Sequence, residues 1–125
     1  MAEHRIKISA GDVVVSARLD DTDAANRLWE ALPVQASANT WGDEIYFSIG
    51  IDAELDDTAQ ETVEPGALGY WPPGDALCLF FGPTPLSVGD EIRPASAVNV
   101  LGMIEGDSTV LKAVSGGTLI VVEDE

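Results

Sequence analysis

The sequence predicts a mainly β protein, a barrel or sandwich of about eight short strands with one or two short helices. Short alternating or β-branched runs recur at close spacing, separated by Gly, Pro and Asp turn signals. One segment alone, Asp20 to Leu32, carries a clear helical period. Strands do not alternate regularly with helices, as a parallel α/β sheet requires. The 125 residues suit one domain over 1–125, and no internal repeat or linker divides them.

Taken in order, Ile6, Ile8 and Ala10 alternate with Arg5, Lys7 and Ser9, the pattern of a half-buried strand. Gly11-Asp12 is a turn, and Val13 to Leu19 completes an N-terminal hairpin. Over Asp20 to Leu32, Ala24, Leu28 and Ala31-Leu32 share one helical face. Asp21 or Thr22 supplies the cap and Pro33 the stop. Val34 to Ala38 alternates as a further strand, and Thr40-Trp41-Gly42-Asp43 turns the chain into Glu44 to Ile51, rich in aromatic and β-branched residues. Asp52 to Thr62 is acidic and reads as a loop or edge segment. Ala67 to Trp71 is a short strand halted by Pro72-Pro73-Gly74-Asp75. Ala76 to Phe81 is apolar throughout, a strand buried on both faces. Gly82 to Pro94, with three prolines and two glycines, is loop. Ala97 to Ile104 is a strand in which Gly102 marks a bulge or corner. Ser108 to Val114 reads as a short helix, and Thr118 to Glu123 as the last strand.

Composition narrows the function classes. Apolar residues make up 46% of the chain, which separates it from disordered acidic chains. No stretch of about 18 apolar residues occurs, so no membrane span is expected. Charges at Glu3, Arg5 and Lys7 with no apolar stretch behind them argue against a secretory signal and for a cytoplasmic location. Six basic residues face 22 acidic ones, a net charge of −16. That charge repels phosphates, so neither nucleic acid nor an anionic membrane surface is an expected partner. The acidic residues are dispersed and lysine is scarce, as in proteins adapted to salt. In molar salt the Debye length shrinks to about 3 Å and self-repulsion fades; the expectation is a halophilic source, with an ordinary acidic cytosolic protein as the alternative. Cys78 is the only cysteine, so no intrachain disulfide can form.

The run from Gly69 to Pro85 gathers four of the eight aromatics and four of the seven prolines. Such a density of aromatic area lines either a core or a pocket. Together with Thr40-Trp41-Gly42-Asp43-Glu44-Ile45-Tyr46-Phe47 and Pro94 to Gly102, it resembles a small cyclophilin-like family of prokaryotes of uncertain biochemical role. The resemblance spans nearly the whole chain and implies a closed β-barrel of cyclophilin topology. Cyclophilins catalyse prolyl cis/trans isomerisation with an arginine placed a few residues before a Phe-Met pair on one strand. No such pattern occurs here. The arginines are Arg5, Arg18, Arg27 and Arg93, and only Arg93 stands near the motif region.

The leading reading is therefore a binding module in which an apolar pocket receives a peptide or small molecule. Its candidate ligand-binding residues are Trp41, Tyr46, Trp71, Phe80, Phe81 and Asn99. The alternatives are a weak peptidyl-prolyl isomerase with Arg93 as the catalytic candidate, and an accessory subunit of a larger enzyme. Each residue also has a structural reading. Tyr46 and Phe47, like Phe80 and Phe81, are neighbours on a strand and point to opposite faces. One of each pair can fill the interior; the other needs a cover. Asn99, in an otherwise apolar strand, fixes a barrel corner or offers its amide to a ligand. Cys78 is a buried thiol or a nucleophile, and no cation or base adjoins it in sequence. Asp43 and Glu44 form a carboxylate pair or a solvated strand end. Asp20, Asp21 and Asp23 lack the glycine and terminal glutamate of a calcium loop and serve helix capping. No metal site and no cofactor is expected.

Overall fold

In the computed structural model, which describes residues 4–125, ten antiparallel strands form one sheet; the charge at Glu3 lies outside these residues. The strands are β1 His4–Ala10, β2 Val13–Leu19, β3 Val34–Ser37, β4 Asn39–Thr40, β5 Glu44–Ser48, β6 Ala59–Gln60, β7 Ala67–Trp71, β8 Ala76–Phe80, β9 Val98–Glu105 and β10 Leu119–Asp124. Helix α1 spans Asp23–Ala31, and 3-10 turns occupy Pro72–Gly74 and Ser108–Ala113. The Thr22 side chain caps α1 by accepting from the Ala25 amide. Asp23 instead pairs with Arg27 at 3.0 Å, and Asp21 accepts from Asn26.

The sheet runs β3-β10-β1-β2-β9-β7-β8-β5-β4, with β6 attached to β9. Its hydrogen-bond ladder does not close among the described residues, so the mainly β fold stands without the expected closed barrel being established. The two ends, β3 and β4, are consecutive in the chain and joined through Ala38. That residue pairs with the approach to β10 instead: its amide donates to Thr118 O at 2.8 Å and its carbonyl accepts from Gly117 N at 2.8 Å. Two strands beyond the expected eight, β4 and β6, have two residues each, too short for a periodic signal.

The expected strand over Glu44 to Ile51 ends at Ser48. Gly50 and Asp52 adopt left-handed φ values of 73° and 54°, and the Asp75 carboxylate accepts from Ile51 N at 3.2 Å and Asp52 N at 2.9 Å. A side chain has thus replaced the ladder as hydrogen-bond partner. Gly102 stands beside an irregularity between β7 and β9, where Leu68 faces Gly102 but Gly69 faces Val100, leaving Leu101 as the extra residue. A Cβ at Gly102 would lie 1.9 Å from Arg18 O, so only glycine admits β2 this close.

Alternation divides the apolar residues between two layers. Ile6, Ile8, Leu19, Leu28, Ile45, Phe47, Leu68, Tyr70, Leu77, Leu79 and Phe81 build the main core. Phe80, Cys78, Ala76, Val98, Val63 and Ile92 form a second cluster, with Tyr46 and Trp71 packed against it. Among the described residues, no helix is long and apolar enough to cross a membrane.

Candidate functional site

Strands β5 and β8 place Glu44 opposite Phe80 and Tyr46 opposite Cys78. These four side chains therefore project from one face of the sheet, while Ile45, Phe47, Leu77 and Leu79 enter the main core from the other. Gly69 faces Cys78 on β7. A Cβ there would lie 2.8 Å from Val98 Cγ2 and 3.1 Å from Phe80 Cε2, so the missing side chain lets the second cluster close over the strand.

Residues 82–97 cover this outer face. The Val63 amide donates to Ile92 O at 3.0 Å. Thr84, buried, and Ser87 brace the segment internally: Thr84 Oγ1 donates to Arg93 O at 2.5 Å, and Arg93 N donates to Ser87 Oγ at 3.1 Å. The Trp71 indole Nε1–H donates to Ser96 Oγ at 2.7 Å, tying sheet to cover. Trp41 sits on the turn between β4 and β5, where Gly42 has φ of 61° and a Cβ would lie 2.9 Å from Pro83 O. That turn locks onto the cover through Asp43 N and Pro83 O at 2.9 Å.

Between sheet and cover lies a cavity of about 280 Å³, walled by Trp41, Tyr46, Trp71, Pro94, Ala95 and Val98, with Glu44 and Cys78 completing it. Its size is at the small end of ligand pockets, about 300–1,000 Å³. Of the six candidate ligand-binding residues, Trp41, Tyr46 and Trp71 meet here. Phe80 is wholly buried beneath, and Phe81 belongs to the main core on the opposite face. Asn99 is also wholly buried. Its Nδ2 donates to Glu54 O at 2.8 Å and its Oδ1 accepts from Asp56 N at 2.9 Å, so the amide anchors the loop leading to β6, and Asn99 is not among the residues that line the cavity. Arg93 does not line the cavity either. Glu91 holds its guanidinium at 2.7 Å beside a separate shallow depression that includes Glu61 and Leu86.

Glu44 is where the structure departs most from the sequence. It is 5% exposed, the one buried acidic side chain among the described residues; a solvated strand end is excluded. Its Oε1 is buried with no hydrogen-bond partner. Burial pushes its pKa up to about 7, against a partial opposing effect of a hydrogen bond from the Cys78 thiol. The Cys78 thiol is in turn raised well above the ordinary range, first by burial and then by the Glu44 charge. Cys78 is thereby a buried donor, not an activated nucleophile. The period-2 pattern alone placed Glu44 on the same face as Tyr46; the missing information was the cover supplied from residues 82–97.

A second polar assembly supports the neighbouring wall. Tyr70 OH donates to Asp75 Oδ1 at 2.5 Å and accepts from Ala53 N at 3.1 Å. Burial, then the Asp75 hydrogen bond, raises the Tyr70 phenol to about 12. Burial alone would raise Asp75, but hydrogen bonds from Tyr70 and from the amides of residues 50–52 outweigh it and lower its pKa.

Comparison with known proteins gives four findings. The solution structure of the hypothetical protein AF2241 from Archaeoglobus fulgidus is 41% identical, superposes with a TM-score of 0.83, and is matched over 98% of this chain and 95% of that one. The structure of McbB in complex with tryptophan is 17% identical with a TM-score of 0.71, covering 94% of this chain but 44% of McbB; that likeness is one of fold. No curated protein matches. A family model described as Cyclophilin-like matches residues 4–123.

Proposed function

The chain belongs to the cyclophilin-like family, and we propose that within it this protein is a binding module for a small, largely apolar ligand. The observation that carries this is the cavity on the outer face of the sheet. Three aromatic side chains wall it, and a cover braced by its own hydrogen bonds holds it open. Aromatic rings around a few polar groups are the usual make-up of a small-molecule site. The volume of about 280 Å³ favours a small molecule or a single peptide side chain over a longer peptide. McbB, solved with tryptophan, is a precedent for a small ligand in a protein containing this fold.

The shortage of lysine and the −16 net charge support a salt-adapted cytoplasmic setting. The test of function is calorimetric titration with a panel of small aromatic compounds. Binding that weakens at least fivefold in Trp41→Ala supports the reading; uniform absence of binding, or binding indifferent to Trp41, contradicts it.

A further inference from the structure

Resting on that pocket reading, we propose that the ligand is a small organic ammonium ion with an apolar or aromatic body, its N–H donated to the Glu44 carboxylate and its body held among Trp41, Tyr46 and Trp71. Buried polar atoms are almost always partnered, and Oε1 of Glu44 is not. The missing partner is a donor, and Glu44 lines the cavity, the side from which a donor can approach the carboxylate. The lining contains no lysine or arginine. Cations close by are engaged: Lys112 lies 4.0 Å from Asp43, and Arg93 is held by Glu91. Among the described residues an ionised Glu44 thus has no countercharge, and the ligand supplies it.

The walls point the same way. Rings of Trp and Tyr attract a cation over their faces, and a net charge of −16 draws cations and repels anions. A hard metal ion needs several oxygen ligands, whereas this cavity offers one carboxylate. A neutral alcohol would satisfy the hydrogen bond and leave the charge buried. The titratable groups facing Glu44 are Tyr46 from its own strand and Cys78 from β8, with Asp43 and its Lys112 partner at the adjoining turn; residues 94–98 of the cover add none.

The experiment is titration calorimetry of 2-phenylethylammonium, 2-phenylethanol and 3-phenylpropionate at pH 6 and pH 8, on the wild-type protein and Glu44→Gln. The ammonium ion is expected to bind tightest and the carboxylate not at all. With the Glu44 carboxyl titrating at about 7, ammonium affinity rises about tenfold from pH 6 to pH 8. Glu44→Gln loses at least that factor and the pH dependence with it. Equal binding of alcohol and ammonium, or a pH-independent ammonium affinity in the wild type, overturns the inference while leaving the pocket reading standing. If none of the three binds, both fall. The wild-type pH series decides even if Glu44→Gln does not fold.

Discussion

The Trp71 indole donates to Ser96 Oγ at 2.7 Å, joining the last residue of β7 to the segment that roofs the cavity. A half-exposed neutral hydrogen bond contributes about 0.5–1.5 kcal/mol. Ser96→Ala and Trp71→Phe are each expected to lose about that much. The double variant should lose less than their sum, because either change alone breaks the shared bond. Urea unfolding of the four proteins measures this. Strict additivity would show that the bond does not hold the roof.

Tyr70 and Asp75 make a stronger demand on stability. Tyr70→Phe removes the donor to Asp75 and leaves the Ala53 amide unpartnered in a buried setting, a loss of about 1–3 kcal/mol. Asp75 has a pKa below its unfolded value, so its contribution is present above the unfolded pKa and disappears as pH falls through the folded one. Asp75→Asn keeps an acceptor in the left-handed conformation, where φ is 47°. It should be less stable than wild type at pH 7, with the gap closing below about pH 4. Equal stability at pH 7 would contradict the assignment.

Glu44 has the opposite sign. Its folded pKa of about 7 stands above the unfolded value of 4.5. The folded state therefore holds the proton more tightly, and stability falls as pH rises from 4.5 to 7, then levels off. The full effect is up to about 3 kcal/mol. Glu44→Gln should flatten that slope and be the more stable protein at pH 8, with the advantage shrinking toward pH 5. Thermal unfolding across that range tests it, and parallel curves for the two proteins would show that Glu44 titrates normally.

Arg93 is expected to contribute nothing to prolyl isomerisation. Glu91 holds its guanidinium at 2.7 Å, and Arg93 is not among the residues that line the cavity. A coupled assay on a Xaa-Pro peptide should give no rate above background. A rate that disappears in Arg93→Ala would contradict this placement.

The excess of acid predicts a salt response. Sixteen uncompensated negative charges repel one another over a Debye length of about 10 Å at about 0.1 M salt and about 3 Å at about 1 M. Tm should climb steadily as KCl is raised toward 1 M. A flat Tm would remove salt adaptation from the account.

Most of the strands could be read from alternation, because Ile6, Ile8 and Ala10 or Leu77 and Leu79 each face one continuous core. The opposite facing of Phe80 and Phe81 followed from the same period. What the sequence could not carry was the cover. Whether Tyr46 and Trp71 bound a cavity, and whether Glu44 is wet or dry, depends on where residues 82–97 return, and a Pro-rich loop has no period to reveal it. Asn99 was legible as a polar residue in an apolar strand. Its partners, the backbone at Glu54 and Asp56, lie more than forty residues away, beyond the reach of local pattern. The open seam between β3 and β4 is likewise a matter of pairing partners, which alternation does not specify.

The central claim is that the cavity bounded by Trp41 and Trp71 is the binding site. The three tryptophan indole N–H signals in a proton–nitrogen correlation spectrum test it most directly. Trp29, stacked on His4 at 4.0 Å, is outside the cavity and acts as the internal control. On titration with 2-phenylethylammonium at pH 8, the Trp41 and Trp71 signals should move together along one saturating curve while Trp29 stays fixed. Movement of Trp29 alone, or no movement of Trp41 and Trp71 with either 2-phenylethylammonium or 2-phenylethanol at millimolar concentration, would contradict the account.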